Sequence, residues 1–142
     1  MLSRHDDYEI DDTRERIDFA RVHAWLTTAY WSEGISRKRV EKAARGSSLL
    51  VGAYDANGDQ AGYLRVVSDQ TTFAWVCDVF VDEKHRGQGL ARAMVRFALE
   101  HPDHQGLRRW ILATRDAHAI YASCGFALLP NPEKWMILQP QK

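Results

Sequence analysis

The run Thr72–Val81 is β-branched and aromatic almost throughout, and it leads into Arg86-Gly87-Gln88-Gly89-Leu90-Ala91 at the start of a helix. So apolar a strand belongs near the centre of a sheet, covered on both faces. The helix, from Leu90 to about His101, has one polar stripe, Arg92, Arg96 and Glu100, and is apolar between those positions. It must lie largely buried against that sheet. Two glycines between strand and helix let the backbone turn tightly and come close to a ligand. A helix start offers unpaired amides and the positive end of a dipole, which favour an anion by about 0.3–1 kcal/mol when exposed. Strand, loop and helix together predict a backbone-built site for a phosphate or pyrophosphate.

The rest of the chain supplies elements that fit around this unit. Residues 8–12 predict a short first strand. Phe19, Val22, Leu26 and Ala29 recur at helical spacing behind Asp18, a suitable N-cap. Ser36 is placed to cap a second helix with Val40, Ala43 and Ala44 inward and Gly46 as its stop. Ser48–Tyr54 and Gln60–Val67 flank Asp55-Ala56-Asn57-Gly58-Asp59, a hairpin signal. With Thr72–Val81 they make a three-stranded antiparallel meander. After the buried helix, Trp110–Ala113 predicts a strand, Ala117–Ser123 a helix capped by Asp116, and Phe126–Leu129 and Glu133–Leu138 two last strands. The predicted order is βααβββαβαββ, an α/β fold with a mixed sheet, forming one domain over residues 1–142.

Charge narrows the function classes. The 142 residues carry 19 basic and 19 acidic side chains, so no bulk charge holds this chain to nucleic acid or to a membrane surface. The balance is local: Met1–Asp18 is acidic, and Arg37–Arg45 is basic with Glu41 its only acid. Both read as solvated faces. No apolar leader and no stretch of about 18 apolar residues is present, which predicts a soluble cytoplasmic protein. Cys77, in an apolar run, and Cys124, in a Ser-Cys-Gly turn, lack metal-ligand or disulfide spacing and read as small apolar residues.

Three kinds of phosphate loop compete for Arg86–Ala91. A Walker loop requires Lys followed by Ser or Thr, which is missing here. A dinucleotide loop requires a small residue where Arg92 stands, and a parallel rather than antiparallel sheet upstream. The acyl-CoA loop R/Q-x-x-G-x-G/A fits in full. With Val79-Phe80-Val81 before this loop and Ala117-His118-Ala119-Ile120-Tyr121-Ala122-Ser123-Cys124-Gly125-Phe126 after it, the sequence resembles the GCN5-related N-acetyltransferases (GNAT) over about residues 60–129.

That resemblance implies an acetyl-CoA-dependent N-acetyltransferase with a splayed central strand, no metal, and direct transfer to a primary amine of a small molecule or peptide. It implies that Val79, Phe80 and Val81 pair with the cofactor and that Arg86, Gly87, Gln88, Gly89, Leu90 and Ala91 receive its pyrophosphate. Tyr121 matches the family's general acid. Thr114 stands where the family often places an asparagine on the pantetheine arm, so this contact departs from the pattern. A carboxylate in an apolar run needs a partner or a task, which makes Asp78 the first candidate for general base. Glu33 is a second candidate and a substrate contact, and His118 a third. Trp31 and Trp135 are expected at the acceptor pocket, with Trp25, Trp75 and Trp110 in the core. The chain is expected to act as a monomer or homodimer. Two alternatives stay open: a non-catalytic acyl-CoA-binding module, and a toxin-like acetyltransferase of aminoacyl-tRNA approached through Arg37–Arg45.

Overall fold

A computed structural model describes residues 1–140 of the chain. The first strand expected at residues 8–12 is a hairpin, β1 (Leu2–His5) with β2 (Tyr8–Asp11), turned by Asp6 at φ +52°. Asp tolerates the left-handed region better than most side chains, so Asp6-Asp7 is a workable turn. Then come α1 (Phe19–Leu26), α2 (Arg37–Arg45), β3 (Leu49–Tyr54), β4 (Gln60–Ser68), β5 (Phe73–Val81), α3 (Leu90–Glu100), β6 (Arg109–Ile111) and α4 (His118–Ala122). The six strands lie in sequence order, antiparallel except for the parallel pair β5–β6.

Helices cover both faces because strand side chains alternate. On one face Leu49, Val51, Leu64 and Val66 meet Leu90, Met94, Val95 and Ala98 of α3. On the other, Leu50 and Tyr63 meet Val22 and Leu26 of α1 and Val40 and Ala44 of α2. Each large apolar side chain removed from water contributes about 1.5–3 kcal/mol, so these two layers hold the sheet between them. The expected caps form: Asp18 accepts from Arg21 N at 3.1 Å and Ser36 from Arg39 N at 3.2 Å. Arg16, in the acidic stretch, is not simply solvated. It binds Glu9 at 2.8 Å and Asp11 at 3.1 Å with its guanidinium 3.8 Å above the Tyr54 ring.

Three expectations are corrected. Strand β5 is only half-buried toward its end, because its far edge is open from Val76 onward. Helix α4 is not capped by Asp116; Ala117 N–H donates to Thr114 Oγ1 at 3.0 Å instead. Finally, 126–129 and 133–138 carry no strand, so the order is ββααβββαβα. Pro130 and Pro132 remove backbone donors there, Asn131 turns at φ +53°, and the free outer edge of β6 faces the segment across a cavity without pairing. Met136, Ile137 and Leu138 are consequently exposed. Among the described residues, no helix is long and apolar enough to cross a membrane.

Candidate active site

The sheet splits between β5 and β6. Their pairing covers only Phe73–Trp75 against Arg109–Ile111, whereas β5 runs on to Val81. A bulge accounts for the divergence. Arg65 lies opposite Cys77 and Tyr63 opposite Phe80, so Asp78 and Val79 together face Leu64. Such a bulge bends and twists its strand. Asp78 is its pivot at φ +55°, a conformation that costs an Asp of order 1 kcal/mol. Its carboxylate is secured on both sides: Oδ2 accepts from Arg65 Nε at 2.6 Å and Oδ1 from the Trp31 indole at 2.8 Å. Burial alone would lower the Arg65 pKa, but the charge and hydrogen bond of Asp78 outweigh it and hold it above the ordinary value.

The gap is a cavity of about 470 Å³ whose lining includes Trp31, Asp78, Val79, Thr114 and Tyr121. A second cavity, of about 1070 Å³, lies between β6, α4 and the 126–135 segment and takes in Trp110 and Trp135. Tyr121 and Thr114 border both. The Tyr121 ring sits edge-on to Phe126 at 6.1 Å, and its hydroxyl bonds to no other group among the described residues. Burial pushes its pKa up to about 12, which keeps the phenol a proton donor across the physiological range.

Beyond Asp78 the strand carries Phe80, stacked on Trp25 at 5.5 Å, and Val81, whose carbonyl accepts from Arg86 Nε at 3.1 Å. Gly87 and Gly89 then take φ +78° and +77°, and Gly89 is the N-cap of α3. It supplies no side-chain cap. The first helical bond runs from Ala93 N to Gly89 O at 3.0 Å, which leaves the amides of Leu90, Ala91 and Arg92 ahead of it open toward a ligand. A Cβ on Gly87 would touch nothing within 4 Å, so the glycine serves backbone conformation and leaves the approach clear. These features fit a pyrophosphate-bearing cofactor.

Of the residues singled out in the sequence, Asp78, Val79, Trp31, Thr114 and Tyr121 converge on the split, and Phe80 to Ala91 continue from it. Trp135 is on the far side, in the larger cavity, with the Arg109 guanidinium 5.4 Å from its ring. Glu33 is exposed and lines neither cavity. His118 is exposed at the rim of the larger one. Trp25 and Trp110 pack against the two cores, while Trp75 lines the split. Cys77 is half-buried, its pKa pushed up to about 11 by burial, so it is no thiolate near neutral pH. Sequence reasoning missed Arg65, whose only signal was an arginine inside an apolar strand, and Arg115 and His5, which carried none.

This mixed sheet, split beside an uncapped, glycine-led helix start, has the fold of the acetyltransferases. The chain belongs to the acetyltransferase (GNAT) family, whose model matches residues 10–126. A GNAT-family acetyltransferase structure from Xanthomonas campestris pv. campestris shares 36% identity and a TM-score of 0.88, with 94% of this chain and 93% of that chain covered. Two more distant structures share the fold. An acetyltransferase from Deinococcus radiodurans R1 has 18% identity and TM-score 0.74, covering 98% of this chain and 93% of that one. Glucosamine-6-phosphate N-acetyltransferase from Arabidopsis thaliana has 17% identity and TM-score 0.63, covering 95% and 97%. No curated protein matches the sequence.

Proposed function

We propose that this chain transfers the acetyl group of acetyl-CoA to a primary amine of a small molecule or peptide, by direct attack within a ternary complex. One observation carries the reading: the open edge of β5 leads directly to the uncapped start of α3. An extended pantetheine arm pairs with the first and a pyrophosphate with the second. When bound, acetyl-CoA supplies the activated acyl group as a thioester.

The residues of the chain divide the remaining work. The amides of Leu90, Ala91 and Arg92 bind the pyrophosphate, with Arg86, Gly87, Gln88 and Gly89 shaping the turn. A backbone N–H along Val79–Val81 polarises the thioester carbonyl. Thr114 Oγ1 already accepts from Ala117, and its own proton is free to donate to the pantetheine arm. Tyr121 protonates the departing thiolate. An amine acceptor must lose a proton first, at a cost of about 4 kcal/mol for a lysine-like group near neutral pH. Both oxygens of Asp78 are engaged by Arg65 and Trp31, so this carboxylate holds the bulge and the indole, and the proton leaves through water in the split. Glu33 stands outside the split. Cys124 directs its thiol toward the Arg92 carbonyl at 4.0 Å rather than toward a histidine, which favours direct attack over an acyl-cysteine.

Release of free CoA from acetyl-CoA against a panel of amines, alongside calorimetric CoA binding, tests this reading. Turnover with an amine is expected. Binding without turnover would make the chain a non-catalytic module, and turnover on aminoacyl-tRNA alone would make it a toxin-like enzyme.

A further inference from the structure

The loop between α1 and α2 bridges the split from bank to bank. Trp31 reaches the β5 side, where its indole donates to Asp78 Oδ1 at 2.8 Å. Tyr30 reaches the other side, where its hydroxyl accepts from Arg115 N at 3.1 Å and its ring lies 3.8 Å below the Arg115 guanidinium. The two rings meet edge to face, 5.1 Å apart at 88°. Large aromatics are costly to leave in water, yet Tyr30 is 47% and Trp31 42% exposed, each pinned by a hydrogen bond beside the cavity they line. Rigid, half-exposed rings at the mouth of a cleft are a stacking surface.

Three charged side chains line that cleft, Arg65, Asp78 and Asp116, so its carboxylates outnumber its guanidinium. Arg65 is committed to Asp78 at 2.6 Å and to Ser47 Oγ at 3.3 Å. Arg115 is committed to Asp116 at 3.4 Å and to the Tyr30 ring. Asp78 has both oxygens occupied. Much of the remaining lining is apolar, including Ile35, Val40, Trp75 and Val76, and no lysine is present. An acceptor bearing a phosphate or carboxylate would meet the carboxylates of Asp78 and Asp116 at the same surface, whereas a flat ring with a short amine arm needs only the surfaces that stand open. An ammonium arriving at aromatic faces is also attracted by them before it loses its proton.

We propose that the acceptor is an aromatic or similarly flat primary amine without an anionic group, stacked beneath the Tyr30–Trp31 bridge. This rests on the N-acetyltransferase reading and adds the acceptor class to it. A sugar phosphate of the kind named for the Arabidopsis protein would bring a dianion to a cleft lined by one guanidinium and two carboxylates.

The test compares phenethylamine, glucosamine 6-phosphate and a lysine-containing peptide as acceptors, with free CoA as the readout. Phenethylamine is expected to show a KM about tenfold or more below the other two. Trp31→Ala should raise that KM about tenfold and leave the KM for acetyl-CoA unchanged, while Trp31→Phe, which keeps a ring, restores most of the loss. A circular dichroism spectrum matching wild type shows that the variants fold. Preference for the sugar phosphate or the peptide overturns the proposal. So does a Trp31→Ala enzyme with an unaltered phenethylamine KM, or a wild type that binds acetyl-CoA and ignores phenethylamine. A wild type that fails to bind acetyl-CoA would instead remove the N-acetyltransferase reading beneath it.

Discussion

His5 Nε2 donates to the carbonyl of Gln88 at 2.6 Å, tying the first strand of the chain to the loop before α3 across 83 residues. A second tie runs beside it, where Tyr8 OH meets His85 Nδ1 at 2.7 Å. The N-terminal hairpin thus holds both ends of the loop that presents the α3 amides. His5→Ala should weaken CoA binding about fivefold, in line with a lost hydrogen bond of about 1 kcal/mol. His5→Gln, which keeps an N–H donor, should recover most of it. Titration calorimetry with CoA and with pantetheine separates the cases: a loop-positioning role moves the first affinity and leaves the second, which lacks the pyrophosphate.

Gly89 holds φ +77°, and a Cβ there would lie 3.2 Å from His5 Nε2. A branched side chain is strained by the backbone and also presses on the histidine that secures the loop. Gly89→Val should reduce CoA binding below detection by calorimetry while the thermal transition survives. Normal affinity in that variant would sink the loop assignment.

Tyr121→Phe removes the proton donor but not the ring that packs on Phe126. Turnover is expected to fall about tenfold or more, with the acetyl-CoA KM nearly unchanged. Steady-state kinetics checks this, and an unaltered kcat would take Tyr121 out of the mechanism.

Asp78→Ala leaves the Arg65 guanidinium without its partner and the indole of Trp31 without its acceptor. Stripping one member from a mostly buried pair costs about 3 kcal/mol. Urea unfolding should report that loss, together with a shifted Trp fluorescence maximum. Adding Arg65→Leu should return part of the stability, because the orphaned charge is then gone.

Burial raises the Cys77 pKa from 9.0 to about 11 and that of Tyr121 from 10.0 to about 12. In both cases the folded chain favours the protonated, neutral form, so the stability involved is complete below the unfolded value and disappears as pH climbs through the folded one. For Cys77 that window runs from about pH 9 to about pH 11. The melting temperature should decline across it, and Cys77→Ala should flatten the decline.

The α3 start and the caps of α1 and α2 could be read in the sequence because each depends on neighbours a few residues away. Asp78 was noticed as a carboxylate out of place, but its partners Arg65 and Trp31 come from another strand and another loop, so only the folded chain shows what its two oxygens bind. The segments 126–129 and 133–138 have strand-like composition, yet a strand must also pair with an edge, and composition does not say that the chain stays a cavity's width from the free edge of β6. Likewise only residues 8–12 read as a strand, because Leu2–His5 is short and polar and shows itself as a partner only once the Asp6-Asp7 turn folds it back. The formal charge of zero bears on partners recognised by a broad surface and not on amides at one helix start.

Helices α1 and α2 bring their own N-caps, Asp18 and Ser36, and α3 does not. In the proposed enzyme the coenzyme is therefore the missing cap, completing secondary structure in the same act as binding. Free chain and loaded chain then differ in resistance to unfolding, by an amount that grows with the logarithm of coenzyme concentration above its Kd. Starvation for CoA would be felt as a shorter-lived protein before it was felt as a slower reaction.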